Sequence, residues 1–189
     1  MTIFLDNNAT TAIEPEVLAA MMKGLGTEPL NPSSVTQLGR KAKLMLLEAR
    51  KTCAKHLSCI PQEIIFTSGA TEANNLAIYS MAKRFNGTIV TSPIEHPSIL
   101  EPLEFLESQG RHVHYLSIDE RGHVDPSELE SLANIAFVAL GAANSETGIM
   151  NPIETISSIA LARPRIAGRF SVPARRPFSC EPPRICARG

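Results

Sequence analysis

Nine consecutive residues, Thr67-Ser68-Gly69-Ala70-Thr71-Glu72-Ala73-Asn74-Asn75, gather hydroxyls, a glycine and a carboxylate at one point of the chain. The apolar run Ile64-Ile65-Phe66 before them reads as a buried strand. Leu76, Ala77, Ile78, Met81, Ala82 and Phe85 recur at helical spacing and predict a helix over 73–85. Gly69 permits a tight turn between the two. Ser68 or Thr71 can cap the helix, with Glu72 in its first turn. Such a helix start offers free N–H groups and the positive end of the helix dipole, which together suit a phosphate. Strand-turn-helix junctions are common and most bind nothing, so on this stretch alone Thr71 reads first as a plain cap.

Two further segments carry polar chemistry. Glu95-His96 follows the apolar strand pattern of Thr88-Ile89-Val90-Thr91, in the position of a loop at a strand's carboxyl end. An imidazole there can move protons near neutral pH, or stand exposed and idle. Asn144-Ser145-Glu146-Thr147-Gly148 follows a second strand pattern, residues 135–140. His112 and His114 alternate along a predicted strand and are expected on its solvent face. His56 and His123 read as surface residues, and none of these four is given a role. Cys53, Cys59, Cys180 and Cys186 lack metal-site spacing and read as free thiols of a reducing compartment.

The elements that must position these residues alternate. Pro15 opens a helix with Val17, Leu18, Met21, Met22 and Leu25 as its apolar stripe. A second helix over 39–56 has Ala42, Met45, Leu46, Ala49 and Cys53 on one face, and Arg40, Lys41, Lys43, Arg50, Lys51 and Lys55 on a solvated one. Strands at 88–91, 112–116 and 135–140 alternate with helices at 73–85, 98–109, 126–133 and 152–162. This order predicts an α/β fold with a largely parallel sheet, whose ligands gather at the strands' carboxyl ends. The strand order is not readable.

Taken in order, Leu5-Asp6-Asn7-Asn8-Ala9-Thr10-Thr11, Asn31-Pro32-Ser33-Ser34, the Thr67 stretch, Glu95-His96 and the Asn144 run resemble the amino-terminal part of a cysteine desulfurase of the class V aminotransferase group. The resemblance covers about residues 3–162. It implies an incomplete parallel-sheet large domain of the kind found in pyridoxal-phosphate (PLP) aminotransferases of fold type I. It further implies that Ala70 and Thr71 bind the phosphate of PLP, that His96 stacks on its ring and moves protons, and that Asn144 bonds the ring oxygen. Ser145 replaces the second asparagine of the family's run, and Thr36 stands where the family commonly has a histidine. The implied parent takes sulfur from L-cysteine, leaves L-alanine and passes a persulfide to an acceptor protein for iron-sulfur cluster or thio-cofactor assembly. It works as a homodimer. A selenocysteine lyase and a non-enzymatic partner of a full-length desulfurase are the alternatives.

The family's later segments, His-Val-Asp-x-x-Gln for the pyridine nitrogen and Ser-x-His-Lys for the Schiff base, do not occur, and the last lysine is Lys83. The chain is therefore expected to be truncated and inactive. Composition changes at the same place. Residues 1–162 hold 6 Lys and 5 Arg against 18 acids, a net −7; residues 163–189 hold 7 Arg, 5 Pro and one acid, a net +6. The reading is a partial PLP-binding domain over 1–162 and an Arg/Pro-rich tail over 163–189, disordered or out of frame, with no strand pattern. The overall net charge of −1 argues against nucleic acid or an acidic membrane as partner. There is no apolar run of membrane length and no secretory signal pattern, which makes the cytoplasm the expected compartment.

Overall fold

The computed structural model describes residues 3–7, 9–26, 28–161 and 168–172. The described residues divide into two units, one up to Phe66 and one from Thr67 onward.

In the first unit Pro15 opens α1 (Pro15–Gly24). Its stripe of Val17, Leu18, Met21 and Met22 is exposed, as is Leu25 just beyond, and α1 buries none of its residues. Thr36 starts α2 (Gln37–Leu57) by accepting the Gly39 N–H on its Oγ1 at 3.1 Å. The threonine at the family's histidine position is thus an N-cap. The first turn of α2 lies against the Asn31-Pro32-Ser33-Ser34 loop. Only glycine allows this approach, because a Cβ on Gly39 would stand 2.1 Å from the Ser34 carbonyl oxygen and 2.9 Å from that of Asn31. Ser58, in the left-handed region at φ 54°, ends α2.

The second unit has three layers. β1 (Thr88–Thr91), β2 (Val113–Tyr115), β3 (Ile135–Gly141) and β4 (Gly168–Val172) form a parallel sheet in the order β2-β1-β3-β4. Every residue of β3 is buried, as befits a parallel strand covered on both faces. On one face α3 (Ala70–Arg84) and α4 (Pro97–Ser108) pack Ile78, Ala82, Ile99 and Leu103 against Ile89, Phe137 and Ala139. On the other, α5 (Glu128–Ser131) and α6 (Ile153–Leu161) pack Leu129 and Ile156 against Val90, Val138 and Leu140. A register shift between Thr88 and Ile89 breaks the alternation, so Ile135 joins the second cluster and Ala136 joins Phe137 in the first. The Arg111 guanidinium closes the carboxyl end of α3, donating to the carbonyls of Ala82 at 2.6 Å and Phe85 at 2.8 Å.

Four sequence expectations are corrected. Ile64-Ile65-Phe66 is not a buried strand: Ile65 is 69% and Phe66 47% exposed, and no described strand pairs with them. Three apolar residues specify neither a partner nor a face. Arg50, assigned to a solvated face, is half-buried; it donates from Nε to the Ile64 carbonyl at 3.3 Å and lies 5.4 Å from the centre of the Phe66 ring. His114 does not simply face solvent. It is half-buried, with Nε2 2.9 Å from the Glu128 carboxylate. Finally, β4 lies in the segment where no strand pattern is read, paired with β3 from Phe137↔Gly168 to Gly141↔Val172. The arginines and prolines around Phe170 and Val172 mask a two-residue alternation. The rest of the tail, including Cys180 and Cys186, lies outside the described residues. Cys53 and Cys59 are free thiols. No described helix is long and apolar enough to cross a membrane.

Candidate functional site

Because the sheet is parallel, β1 and β3 end at the same edge. The chain leaves β1 through α4 toward β2 on one side and leaves β3 through α6, with β4 on the other side. This divergence makes a topological switch point, where open α/β sheets leave a crevice for ligands. The Ser92–Pro97 loop and the loop after Gly141 border it.

Two side chains, Asn144 and Glu95, tie these loops together, and Asn151 closes the second loop on itself. Asn144 donates from Nδ2 to the Ile94 carbonyl at 2.7 Å, and its Oδ1 accepts the N–H groups of Glu146 and Thr147, each at 2.9 Å. Asn151 donates to the Gly141 carbonyl at 2.8 Å. Glu95 reaches across from β1 to β3: Oε2 accepts the Gly141 N–H at 2.9 Å and Oε1 accepts the Ser92 hydroxyl at 3.1 Å. Asn144 is thus at the predicted place, but its amide anchors the loop that carries His96.

His96 is the N-cap of α4, with Nδ1 accepting the Ser98 N–H at 3.1 Å. Its ring is exposed at the crevice edge. Ser98 is buried and takes a 2.8 Å hydrogen bond from Nδ2 of Asn74, in the second turn of α3. That bond sets the amino-terminal turns of α3 and α4 side by side and brings the Thr71 turn to the same edge as His96.

At the α3 start the sequence reading needs amending. Neither Ser68 nor Thr71 caps the helix; Gly69 is the N-cap and provides no side-chain bond. Gly69 is extended at φ 175°, a conformation open to any residue, and a Cβ there would meet nothing within 4 Å. What the glycine leaves is open space over the helix end. Glu72 is turned back onto Ser68, accepting its N–H at 2.6 Å and its hydroxyl at 2.7 Å, and these bonds hold its carboxyl below the usual range. Ala70 and Thr71 are exposed, and neither their N–H groups nor the Thr71 hydroxyl has a partner among the described residues. Donors, open space and a neighbouring imidazole fit a phosphate-bearing aromatic group such as PLP.

Burial pushes the Glu95 carboxyl above the ordinary 4.5, against the opposing pull of the Gly141 N–H, the Ser92 hydroxyl and His96. The folded chain therefore holds this proton more tightly than the unfolded chain. The associated stability is complete below 4.5 and is lost as pH rises through the folded value. Glu95→Gln keeps an acceptor for Gly141 and a partner for Ser92, with no charge to desolvate. In urea unfolding from pH 4 to 8 it is expected to remove that decline and to be at least as stable as the parent at pH 7. Parallel pH profiles for the two proteins would refute this. Glu95→Ala is expected to cost about 1–3 kcal/mol, because it leaves the buried Gly141 N–H unpaired.

The sequence reading passed over Asn74 and Ser98. A signal was present: Asn74 lies on the 74/78/82 stripe, where a polar side chain among core positions needs a reason.

The chain matches the family model "Aminotransferase class-V" over residues 3–165. It is 39% identical over 163 residues to a cysteine desulfurase IscS of Dictyoglomus turgidum, covering 84% of this chain and 41% of the relative. Human selenocysteine lyase is 37% identical over 191 residues, with 87% and 43% covered. Among solved structures, a NifS-like protein superposes with a TM-score of 0.85 at 36% identity, covering 90% of this chain and 48% of the other. The apo cysteine desulfurase of Thermococcus onnurineus NA1 gives 0.77 at 27% identity, with 89% and 42% covered. The chain spans about two fifths of the length of these curated relatives. With the family's fold and its ordered motifs both present, this chain belongs to the class V aminotransferases, a PLP-dependent family in general, and its homologues are cysteine desulfurases together with a selenocysteine lyase.

Proposed function

We propose that this chain supplies the phosphate-and-ring half of the PLP site of a cysteine desulfurase, corresponding to that enzyme's amino-terminal part. The Asn74–Ser98 hydrogen bond carries the reading, because it joins the donors of the Ala70–Thr71 turn to the helix that His96 caps. In the reading, the Ala70 and Thr71 N–H groups and the Thr71 hydroxyl hold the phosphate. His96 covers the ring, and Asn144 holds the His96 loop while keeping one Nδ2 hydrogen for the ring oxygen. When bound, PLP provides an electron sink for charge developing at the substrate α-carbon. The substrate is L-cysteine and the products are L-alanine and a persulfide handed to an acceptor protein. The whole enzyme is a homodimer in the cytoplasm, where free Cys53 and Cys59 are at home. Human selenocysteine lyase is similar at almost the same identity, so selenocysteine is the second substrate reading.

The test is a titration of the 189-residue chain with pyridoxine 5′-phosphate, which has no aldehyde to attach to surface lysines. Amide resonances are followed throughout. Shifts are expected at Ala70, Thr71 and the His96 ring. Thr71→Val removes one hydrogen bond to a charged group, worth about 1.5–3 kcal/mol, and is expected to weaken binding at least about tenfold. Saturable binding that leaves residues 69–72 and His96 unshifted would overturn the assignment.

A further inference from the structure

The hydrogen bonds around Ser98 leave only one consistent placement of protons. Two contacts reach Nδ1 of His96: the Ser98 backbone N–H at 3.1 Å and the Ser98 hydroxyl at 2.8 Å. A backbone N–H can only donate, so Nδ1 must present its lone pair. The Ser98 oxygen would repel that lone pair unless its hydroxyl proton points at Nδ1. With that proton committed, the Ser98 oxygen can only accept from Asn74, which requires the Asn74 amide to face it with Nδ2, at 2.8 Å. The opposite amide orientation would draw the hydroxyl proton to Asn74 and break the chain. The chosen orientation leaves Asn74 Oδ1 buried with no partner, the one such side-chain atom among the described residues. Asn74 is 3% exposed, so this oxygen is well shielded from solvent.

We infer that Asn74 and Ser98 are positioning residues that hold His96 as the neutral Nε2–H tautomer, with Nε2–H directed to the exposed edge. The imidazole that covers the cofactor ring then also carries an in-plane hydrogen-bond donor at Nε2. Nδ1 is engaged while the two Ser98 bonds stand, and the same nitrogen caps α4. The tautomer follows from the hydrogen bonds alone. Its use in orienting the imidazole toward a bound cofactor rests on the function proposed above.

The uniformly 15N-labelled full chain is examined without ligand at about pH 8, where an imidazole is neutral, by long-range 1H–15N correlation. His96 is expected to show an acceptor-type Nδ1 and a protonated Nε2 in a single tautomer. Exposed His56 and His112 provide tautomer-averaged references. A 15N–15N coupling across the hydrogen bond from the Ser98 amide to His96 Nδ1 is also expected. Ser98→Ala should shift His96 part of the way toward the averaged signature, and Ser98→Thr, which keeps the hydroxyl, should restore it. An averaged His96 or an Nδ1–H tautomer in the parent protein overturns the inference, whether or not any variant folds. So does a folded Ser98→Ala identical to the parent. Adding pyridoxine 5′-phosphate afterwards separates the two readings: a fixed tautomer with no binding sinks the cofactor site and leaves the positioning chain intact.

Discussion

Given L-cysteine and excess PLP, the 189-residue chain is expected to release no alanine above PLP alone. The reason is distance as well as composition. Desulfurase chemistry in this family requires a lysine that reaches the cofactor aldehyde. Of the six lysines, five precede the second unit and the sixth is Lys83. Lys83 lies on α3 twelve residues beyond Thr71. At about 1.5 Å of rise per residue it stands roughly 18 Å along the helix from the phosphate turn, at the opposite edge of the sheet. No side chain spans that gap. Cys53 and Cys59, the described cysteines, both belong to the first unit. Alanine release that scales with protein and saturates with cysteine would refute this. Binding of pyridoxine phosphate without turnover is the expected combination, and it separates recognition from catalysis.

The parts legible in the sequence were those where period and motif coincide. β1, β3, α3 and α4 follow from runs whose apolar spacing matches the layer they pack into. His96 and Asn144 could be located because loops at the ends of buried strands have few positions to occupy. The misses share a cause. Ile64-Ile65-Phe66 has strand composition, but pairing is a property of two segments, and the cation above Phe66 is Arg50 of α2, fourteen residues before the Ile64 carbonyl that it also bonds. The cap at α3 was misassigned because Ser68 has a stronger local partner in Glu72. Strand order was hidden for the same reason as pairing. Asn74 is the instructive case: helix periodicity placed it on the core stripe, and only the partner on α4 shows what it does there.

The second large effect concerns the core that holds this edge in place. Phe137 is fully buried on the third strand in chain order, between β1 through Ile89 and β4 through Gly168, and it packs among Ile78, Ile99 and Leu103. Truncating such a ring removes its burial and leaves a cavity, for about 3–5 kcal/mol. A domain of this size is stable by only about 5–15 kcal/mol. At about 2–4 °C per kcal/mol for a chain of this length, Phe137→Ala is expected to lower the midpoint of unfolding by at least about 6 °C, or to abolish the transition. Phe137→Leu, which keeps most of the volume, is expected to cost about 1.5 kcal/mol or less. Met150→Ala removes a side chain that is 70% exposed and is expected to change stability by no more than about 0.5 kcal/mol. The ranking discriminates burial from mere hydrophobicity. Equal losses at Phe137 and Met150 would mean that the sheet lacks a fixed core and that the loops at its carboxyl edge are not held at one site. A steep ranking, with pyridoxine phosphate binding lost in Phe137→Ala and kept in Phe137→Leu, would show that the layer formed by α3, α4 and β3 holds Thr71 and His96 together.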